Sequence, residues 1–280
     1  MEICRSVGAM RAVCRRLGAE GRLGFVPTMG GLHAGHMALV ARAGQVSDAV
    51  VASVFVNPTQ FESGADLVAY PSDTEADLAM LEAAGVRAVF LPVAADMYPE
   101  GAETVVEAER LGRMLHGAVR PGHFRGVATV VTKLFNIARP DVACFGKKDY
   151  QQLALVRQMV RDLHFGLEIE AVETVRDADG LALSSRNARL SPEERAAAPV
   201  LHRALGDAAE VLRGGGDVVA AGRAVADRIG TEPLAALAGF DVVEADGFVP
   251  VEGRATGLLG MMISARLGDV LLLDQMEVRV

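Results

Sequence analysis

The sequence predicts an α/β protein, with a mostly parallel sheet in its amino-terminal part and a smaller α+β domain after it, and three observations predict this. Strand and helix patterns alternate up to about residue 175. The strands read as continuous apolar runs, the mark of strands covered on both faces. After SPEERAAA (191–198) the composition shifts to Ala-rich helices and then to short strands. A chain of 280 residues, 51% hydrophobic and 23% charged, supports one large or two medium cores. Two domains are expected, 1–176 and 177–280, the second carrying the polar loop SSRN near its start.

In chain order, residues 6–18 look helical, and RLGFVPT (22–28) is an apolar strand closed by Pro27 and a Gly pair. After GGLHAGH, MALVARAGQ is helical, and DAVVASVFV (48–56) is a β-branched strand that NPTQF breaks, completing a βαβ unit. SDTEADLAMLEAAG (72–85) is an acidic-capped helix and RAVFLP (87–92) a strand. The stretch MYPEGAETVVEAERL gives no regular signal. From Gly122 to Ile137, apolar residues at 124, 127, 130, 131, 134 and 135 recur at helical spacing. DVACFG (141–146) is a buried strand, YQQLALVRQMVRDL a helix, and LEIEAVETV (167–175) the closing strand. Ser-Pro-Glu-Glu at 191–194 starts a helix, RGGGD (213–217) interrupts the Ala-rich stretch, and FDVVEAD (240–246), GMMISARLG (260–268) and DVLLLD (269–274) form a small sheet. The first part is thus Rossmann-like, and such sheets bind ligands at the carboxyl ends of their strands. The loops VPTMGG, FVNPTQF, CFGKKD and VRDADGLALSSRN all fall there.

Charge and cysteine usage narrow the classes of function. With 28 Lys+Arg against 36 Asp+Glu the formal net charge is -8, which argues against a general nucleic-acid binder but leaves small anionic ligands open. Cys4, Cys14 and Cys144 are odd in number and spaced like no zinc motif, so packed, reduced thiols are expected. No apolar run approaches the roughly 18 to 20 residues that span a bilayer. The opening MEICRSVGAM has no apolar core of signal-peptide type, so a cytoplasmic protein without a membrane partner is expected.

The chemistry concentrates first in Pro27-Thr28-Met29-Gly30-Gly31-Leu32-His33-Ala34-Gly35-His36, between a strand and a helix. Histidines three apart share one helix face. The glycines let backbone approach a ligand, and the unpaired N–H groups and dipole of a helix start make an anion site suited to phosphate. A metal reading of His33 and His36 is weaker, because no third ligand is spaced nearby.

This segment resembles the HxGH signature of the nucleotidylyl-transferase superfamily, and the chain as a whole resembles the pantothenate synthetase family. PTMGGLHAGH, FVNPTQF, AYPSD, CFGKKDYQQ and DGLALSSRN stand in that family's order and approximate spacing across residues 22–190. The resemblance implies a Rossmann-like ATP-binding fold and an ATP-dependent ligase that joins pantoate to beta-alanine, with AMP and pyrophosphate released. A carboxylate is a poor electrophile, so pantoate attacks the ATP α-phosphate first, and the amine then displaces AMP from the pantoyl adenylate. Both steps build charge on phosphate, which preorganised donors stabilise.

The resemblance also implies roles residue by residue. Met29, Gly30, Gly31, Leu32, His33, Ala34, Gly35 and His36 line ATP, with His33 and His36 on phosphate oxygens and His36 the proton donor. Gly146, Lys147, Lys148 and Asp149 meet the nucleotide, Lys148 as the phosphate-binding lysine; Lys147, at a variable family position, also reads as a solvated surface lysine. Val175 touches adenine through its backbone. Leu183, Ser184, Ser185 and Arg186 match the mobile KMSKS-type loop that closes over the triphosphate, with Leu183 where many relatives have Met. Gln60, Gln152 and Asn57 bind pantoate and border the beta-alanine position, neutral amides suiting a substrate with hydroxyls. Magnesium accompanies ATP, and a homodimer is implied. Asp77 matches an acidic family position near the metal, although Ala76 replaces an acid seen in some relatives; a first-turn helix charge is the reading preferred for Asp77 on sequence. Glu75, Arg120, His123 and Arg125 form a looser set, the arginines bordering the substrate or clamping a loop.

Two other functions stay open on sequence. An adenylyltransferase that stops after transferring AMP to a phosphate ester needs cations for its acceptor, which FVNPTQF does not supply. A nucleotide-sensing module without catalysis has no need of a second polar substrate pocket.

Overall fold

The computed structural model describes residues 1–61, 67–68 and 70–280. Among them the chain divides into two compact units, Met1–Gly146 with Gln151–Val172, and Lys147–Tyr150 with Glu173–Val280. The sequence reading draws a single boundary at 176. The chain instead passes between units at Val172, and once more briefly at 147–150, where Lys147 and Tyr150 bond Glu277 near the carboxyl end.

In the first unit six strands form one parallel sheet, in the order β1-β4-β3-β2-β5-β6. They are β1 (Glu2–Cys4), β2 (Leu23–Thr28), β3 (Ala49–Val54), β4 (Ala88–Phe90), β5 (Val142–Gly146) and β6 (Glu168–Val172). The longer helices are α1 (Val7–Glu20), α2 (Ala34–Val46), α3 (Thr74–Ala83), α4 (His123–Ala138) and α5 (Tyr150–Asp162). Strand β1 has no counterpart in the sequence reading, because three residues of which only Cys4 is buried carry no period. The stretch around MYPEG, silent in sequence, holds the one-turn helices Ala94–Met97 and His116–Val119.

Alternation along β2 feeds the two faces of the sheet. Val26 joins Val40 and Ala43 of α2 and Leu81 of α3 on one side. Phe25 meets Phe135 of α4 edge to face at 6.4 Å, and Phe135 takes Phe145 and Phe165 in the same way at 6.3 and 5.7 Å. Each such fully buried ring contributes about 2–3 kcal/mol by burial, which fixes β2 between its helical layers. The chain runs from β2 to β3 on one side, while β5 lies on the other, so the topological switch point is at the carboxyl end of β2. All three cysteines are buried and unpaired, and burial pushes the thiols of Cys14 and Cys144 up to about 12 and about 11.

The second unit packs α6 (Pro192–Ala197), α7 (Val200–Arg213) and α8 (Val218–Gly230) with an antiparallel sheet, β7 (Ala235–Glu244), β8 (Leu258–Leu267) and β9 (Val270–Arg279). Its core joins Leu201, Leu205 and Leu212 of α7 to Leu259, Met261 and Ile263 of β8. Strand β7 begins five residues earlier than FDVVEAD suggests, since its first half is largely exposed and passes a register shift between Leu237 and Gly239.

Candidate active site

The loop leaving β2 is built for close backbone approach. Gly30 and Gly31 have φ of 85° and 62°, a region that costs a residue with a Cβ, and a Cβ on Gly30 would lie 2.9 Å from Asp77 Oδ2. His33 caps α2: its Nδ1 accepts from Gly35 N at 3.1 Å, while His36 Nδ1 accepts from His33 N at 3.3 Å. The ring centroids are 4.2 Å apart. An Nδ1 that accepts carries no proton, so each neutral ring bears its hydrogen on Nε2.

Asp77 accounts for the loop's shape. Its carboxylate, 3% exposed, accepts from Gly31 N at 2.9 Å and from Leu32 N at 2.7 Å. This corrects the reading of Asp77 as an ordinary first-turn charge. It sits in the first turn of α3, where the dipole favours an anion, but it is buried and serves the glycine loop. Each carboxylate oxygen thus accepts one backbone amide. Among the described residues no three His, Cys, Asp or Glu side chains are grouped to hold a metal.

The NPTQ turn after β3 lies against the same loop. Asn57, 1% exposed, donates through Nδ2 to Gln60 Oε1 at 3.0 Å and to Gly126 O at 3.2 Å. Gln60, 8% exposed, donates through Nε2 to Met29 Sδ at 3.0 Å. A Cβ at Gly126 would lie 2.5 Å from Thr59 O, so α4 can press on this turn only with glycine there. His123 Nδ1 donates to Gln60 O at 2.8 Å, and Arg120 lies 3.5 Å from the other ring nitrogen, so these two residues support the turn's backbone. Tyr70 reaches Gly30 O at 3.5 Å; its motif neighbour Ala69, first residue of AYPSD, lies outside the described residues. Glu75 and Arg125 are exposed.

Thus the first unit brings together Met29–His36, Asn57, Gln60 and Asp77, and adds His123 and Tyr98, whose hydroxyl donates to Asn57 Oδ1 at 2.8 Å. Sequence reading gave Tyr98 no role, because it stands in a stretch without periodicity. In CFGKKDYQQ, Gln151 is the buried amide: it bonds the carbonyls of Leu111 and Met114, both at 2.8 Å, and accepts from His116 N. Gln152 is half-buried at the start of α5.

The second unit holds the remaining residues. Lys148 Nζ is 3.4 Å from Asp149 Oδ1. Leu183 N donates to Val175 O at 2.9 Å, and Ser184 caps the helical turn Ser185–Arg189 by accepting from Arg186 N. Arg195 clamps the turn before this segment by pairing with Asp177 at 2.7 Å and Asp179 at 2.6 Å, and it holds the Asp179 carboxyl below its ordinary range. Lys147 departs from the solvated lysine expected. Its ammonium pairs with Glu173 at 2.5 Å and Glu277 at 2.7 Å; burial alone would lower its pKa, but the two carboxylates outweigh that and hold it above the ordinary lysine value. Its charge is therefore already matched, which weakens its assignment to ATP.

A parallel sheet with a double-glycine, double-histidine cradle at the carboxyl end of its central strand defines a nucleotide-binding α/β protein. The family model described as pantoate-beta-alanine ligase matches residues 2–277, and the chain belongs to that family. It is 49% identical over 282 residues to a pantothenate synthetase of Heliobacterium modesticaldum, covering all of both chains. A pantothenate synthetase of Agrobacterium fabrum is 48% identical, over 98% of this chain and 94% of that protein. The crystal structure of pantothenate synthetase from Thermus thermophilus superposes with a TM-score of 0.94 at 48% identity over the full length of both chains. The pantoate-beta-alanine ligase of Francisella tularensis, solved with beta-gamma ATP and beta-alanine, gives 0.80 at 30% identity, over 99% of this chain and 97% of that one.

Proposed function

We propose a division of labour for the reaction that this chain catalyses, the ATP-dependent condensation of pantoate with beta-alanine to pantothenate, AMP and pyrophosphate. The observation that carries the proposal is the Gln60 to Met29 hydrogen bond, which ties the amide turn to the phosphate cradle within one unit. Pantoate lies against Gln60 and Asn57, with Gln152 adding a second amide. ATP lies on Met29–His36, whose glycines permit close approach and whose imidazole Nε2–H groups are its donors to phosphate, since the amides of Gly31, Leu32, His33 and Gly35 are taken within the loop by Asp77, His36 and His33. In the first step a pantoate carboxylate oxygen bonds to the α-phosphorus and pyrophosphate leaves, with His36 donating to the phosphate oxygens. In the second, the beta-alanine nitrogen bonds to the acyl carbon, loses a proton, and AMP leaves. The second unit by itself carries Lys148, Ser184, Ser185 and Arg186, a point charge, two hydroxyls and a planar fork of the chemistry that suits phosphate oxygens.

Magnesium enters this reading with ATP, held mostly by phosphates and water, as is usual for this ion at nucleotide sites. No step is assigned to it. Homodimerisation and work in the cytoplasm extend the same reading from the family resemblance; no helix among the described residues is long and apolar enough to cross a membrane.

The test is pantoate-dependent exchange of pyrophosphate into ATP, with and without beta-alanine, followed by mass detection of pantothenate. Exchange that requires pantoate, and pantothenate once the amine is present, are the expected results. Exchange without pantothenate would keep the adenylation step and reopen the identity of the amine, and ATP binding without exchange would favour the sensor reading.

A further inference from the structure

We propose that Tyr98 is a positioning residue of the acid subsite, acting through Asn57 to hold the Gln60 amide in the orientation that faces the substrate. The inference rests on the reading that Gln60 binds pantoate. Tyr98 belongs to none of the sequence motifs, and it lies 41 positions from Asn57.

A primary amide is nearly symmetric in shape, so its orientation is decided by what its two ends meet. Asn57 Oδ1 meets only donors: Tyr98 Oη at 2.8 Å, Thr59 Oγ1 at 3.0 Å and Thr59 N at 3.3 Å. That leaves Asn57 Nδ2 to face Gln60 Oε1 and Gly126 O, both acceptors. With its oxygen engaged by Asn57, Gln60 turns its NH2 outward to Met29 Sδ. Thr59 N and Gly126 O, whose roles cannot reverse, fix the polarity of Asn57, and Tyr98 Oη adds the shortest bond to it, so the hydroxyl holds in place a relay whose direction the backbone sets.

Two features make Tyr98 a dependable donor. The Lys133 ammonium sits 4.5 Å over the ring centroid and also donates to Met97 O, so it holds the ring in place. Burial raises the phenol pKa above its ordinary value, with the bonds to Thr59 and Asn57 opposing, so the proton stays on oxygen at neutral pH. The far end of the relay is poised for exchange. A thioether is a weak acceptor, and a pantoate hydroxyl or carboxylate oxygen displaces it from the Gln60 NH2.

Tyr98→Phe removes the hydroxyl and keeps the ring over which Lys133 sits. Initial rates should show the pantoate KM raised about tenfold, the scale of one oriented hydrogen bond, with the ATP KM within about twofold of the wild type. Gln60→Ala is measured alongside, and Tyr98→Phe is repeated in that background, where the hydroxyl has no amide left to orient. There its effect on the pantoate KM should vanish. If Gln60→Ala raises the pantoate KM but Tyr98→Phe leaves it unchanged, or if the two effects simply add, the relay is wrong while the acid subsite stands. If Gln60→Ala leaves pantoate use untouched, the acid subsite itself is misplaced and the relay falls with it. Equal changes in both KM values would mark Tyr98 as a general packing residue and overturn the proposal.

Discussion

The two units hold their functional residues by different physics. In the first, Asn57, Gln60 and Asp77 are buried, and their partners are backbone amides, carbonyls, hydroxyls and one thioether. In the second, the segments around Lys148 and Ser184–Arg186 are braced chiefly by ion pairs: Lys147 with Glu173 and Glu277, Arg195 with Asp177 and Asp179, and Arg176 with Asp274. A buried directional hydrogen bond is expensive to leave unmade; in the second unit the part-exposed Arg195 pairs are weak and screened, while Arg176 with Asp274, its carboxylate 3% exposed, is a buried pair that is also costly to break. The residues to which we assign the α-phosphate and the acid thus depend on uncharged, buried partners. The segments to which we assign the remaining phosphate contacts depend on charge pairing, part of it exposed and part buried.

The contrast is broken most decisively at His36. In His36→Ala the donor that we assign to phosphate is lost, and so is the acceptor for His33 N that completes the cap of α2. Turnover should fall by roughly a hundred- to a thousandfold, the cost of removing one preorganised donor, while circular dichroism reports a folded chain. Wild-type turnover in that variant would mean that the cradle's imidazoles are structural only.

Asp77→Ala asks whether the first unit is as rigid as its burial suggests. Two amides, Gly31 N and Leu32 N, lose a charged acceptor, and stability should drop by about 2 to 4 kcal/mol in thermal or urea unfolding. Because the loss falls on the glycine loop, the ATP KM should rise more than the pantoate KM. Equal rises, or no change in melting, would show that the loop keeps its shape without Asp77.

These two residues also show how far the site was legible in sequence. His33 and His36 announce themselves because their spacing, the flanking glycines and the strand before them are all local. Asp77 does not, since its meaning depends on amides 45 and 46 positions away. Tyr98 and Lys147 fail for the same reason, one contacting Asn57 and the other Glu277, 130 positions on. The sheet was legible wherever apolar runs were long, as in β2, β3 and β5, and lost where a strand had three residues, as in β1. Periodicity reports which face is buried. It carries no word of which distant polar group that face will meet.

The smallest expected effect sharpens the other side of the comparison. His202 on α7 has its Nδ1 buried without a hydrogen-bond partner among the described residues, in the field of Arg176 and Asp274. Burial lowers its pKa below the ordinary value of 6.5, Arg176 lowers it further, and Asp274 opposes. The unfolded chain therefore takes up this proton before the folded one does as pH falls. The stability linked to neutral His202 is complete above the ordinary histidine range and is lost as pH drops through that range toward the folded pKa. Partial exposure of the ring keeps the effect modest. Melting temperatures followed from about pH 7.5 down to about pH 5.5 should fall more steeply for the wild type than for His202→Gln, which does not titrate there. Parallel curves for the two proteins would place the acid sensitivity of the second unit elsewhere, with its carboxylate pairs the next to test: Arg195 holds Asp179 low, so that pair loosens only once the pH falls toward the carboxylate range.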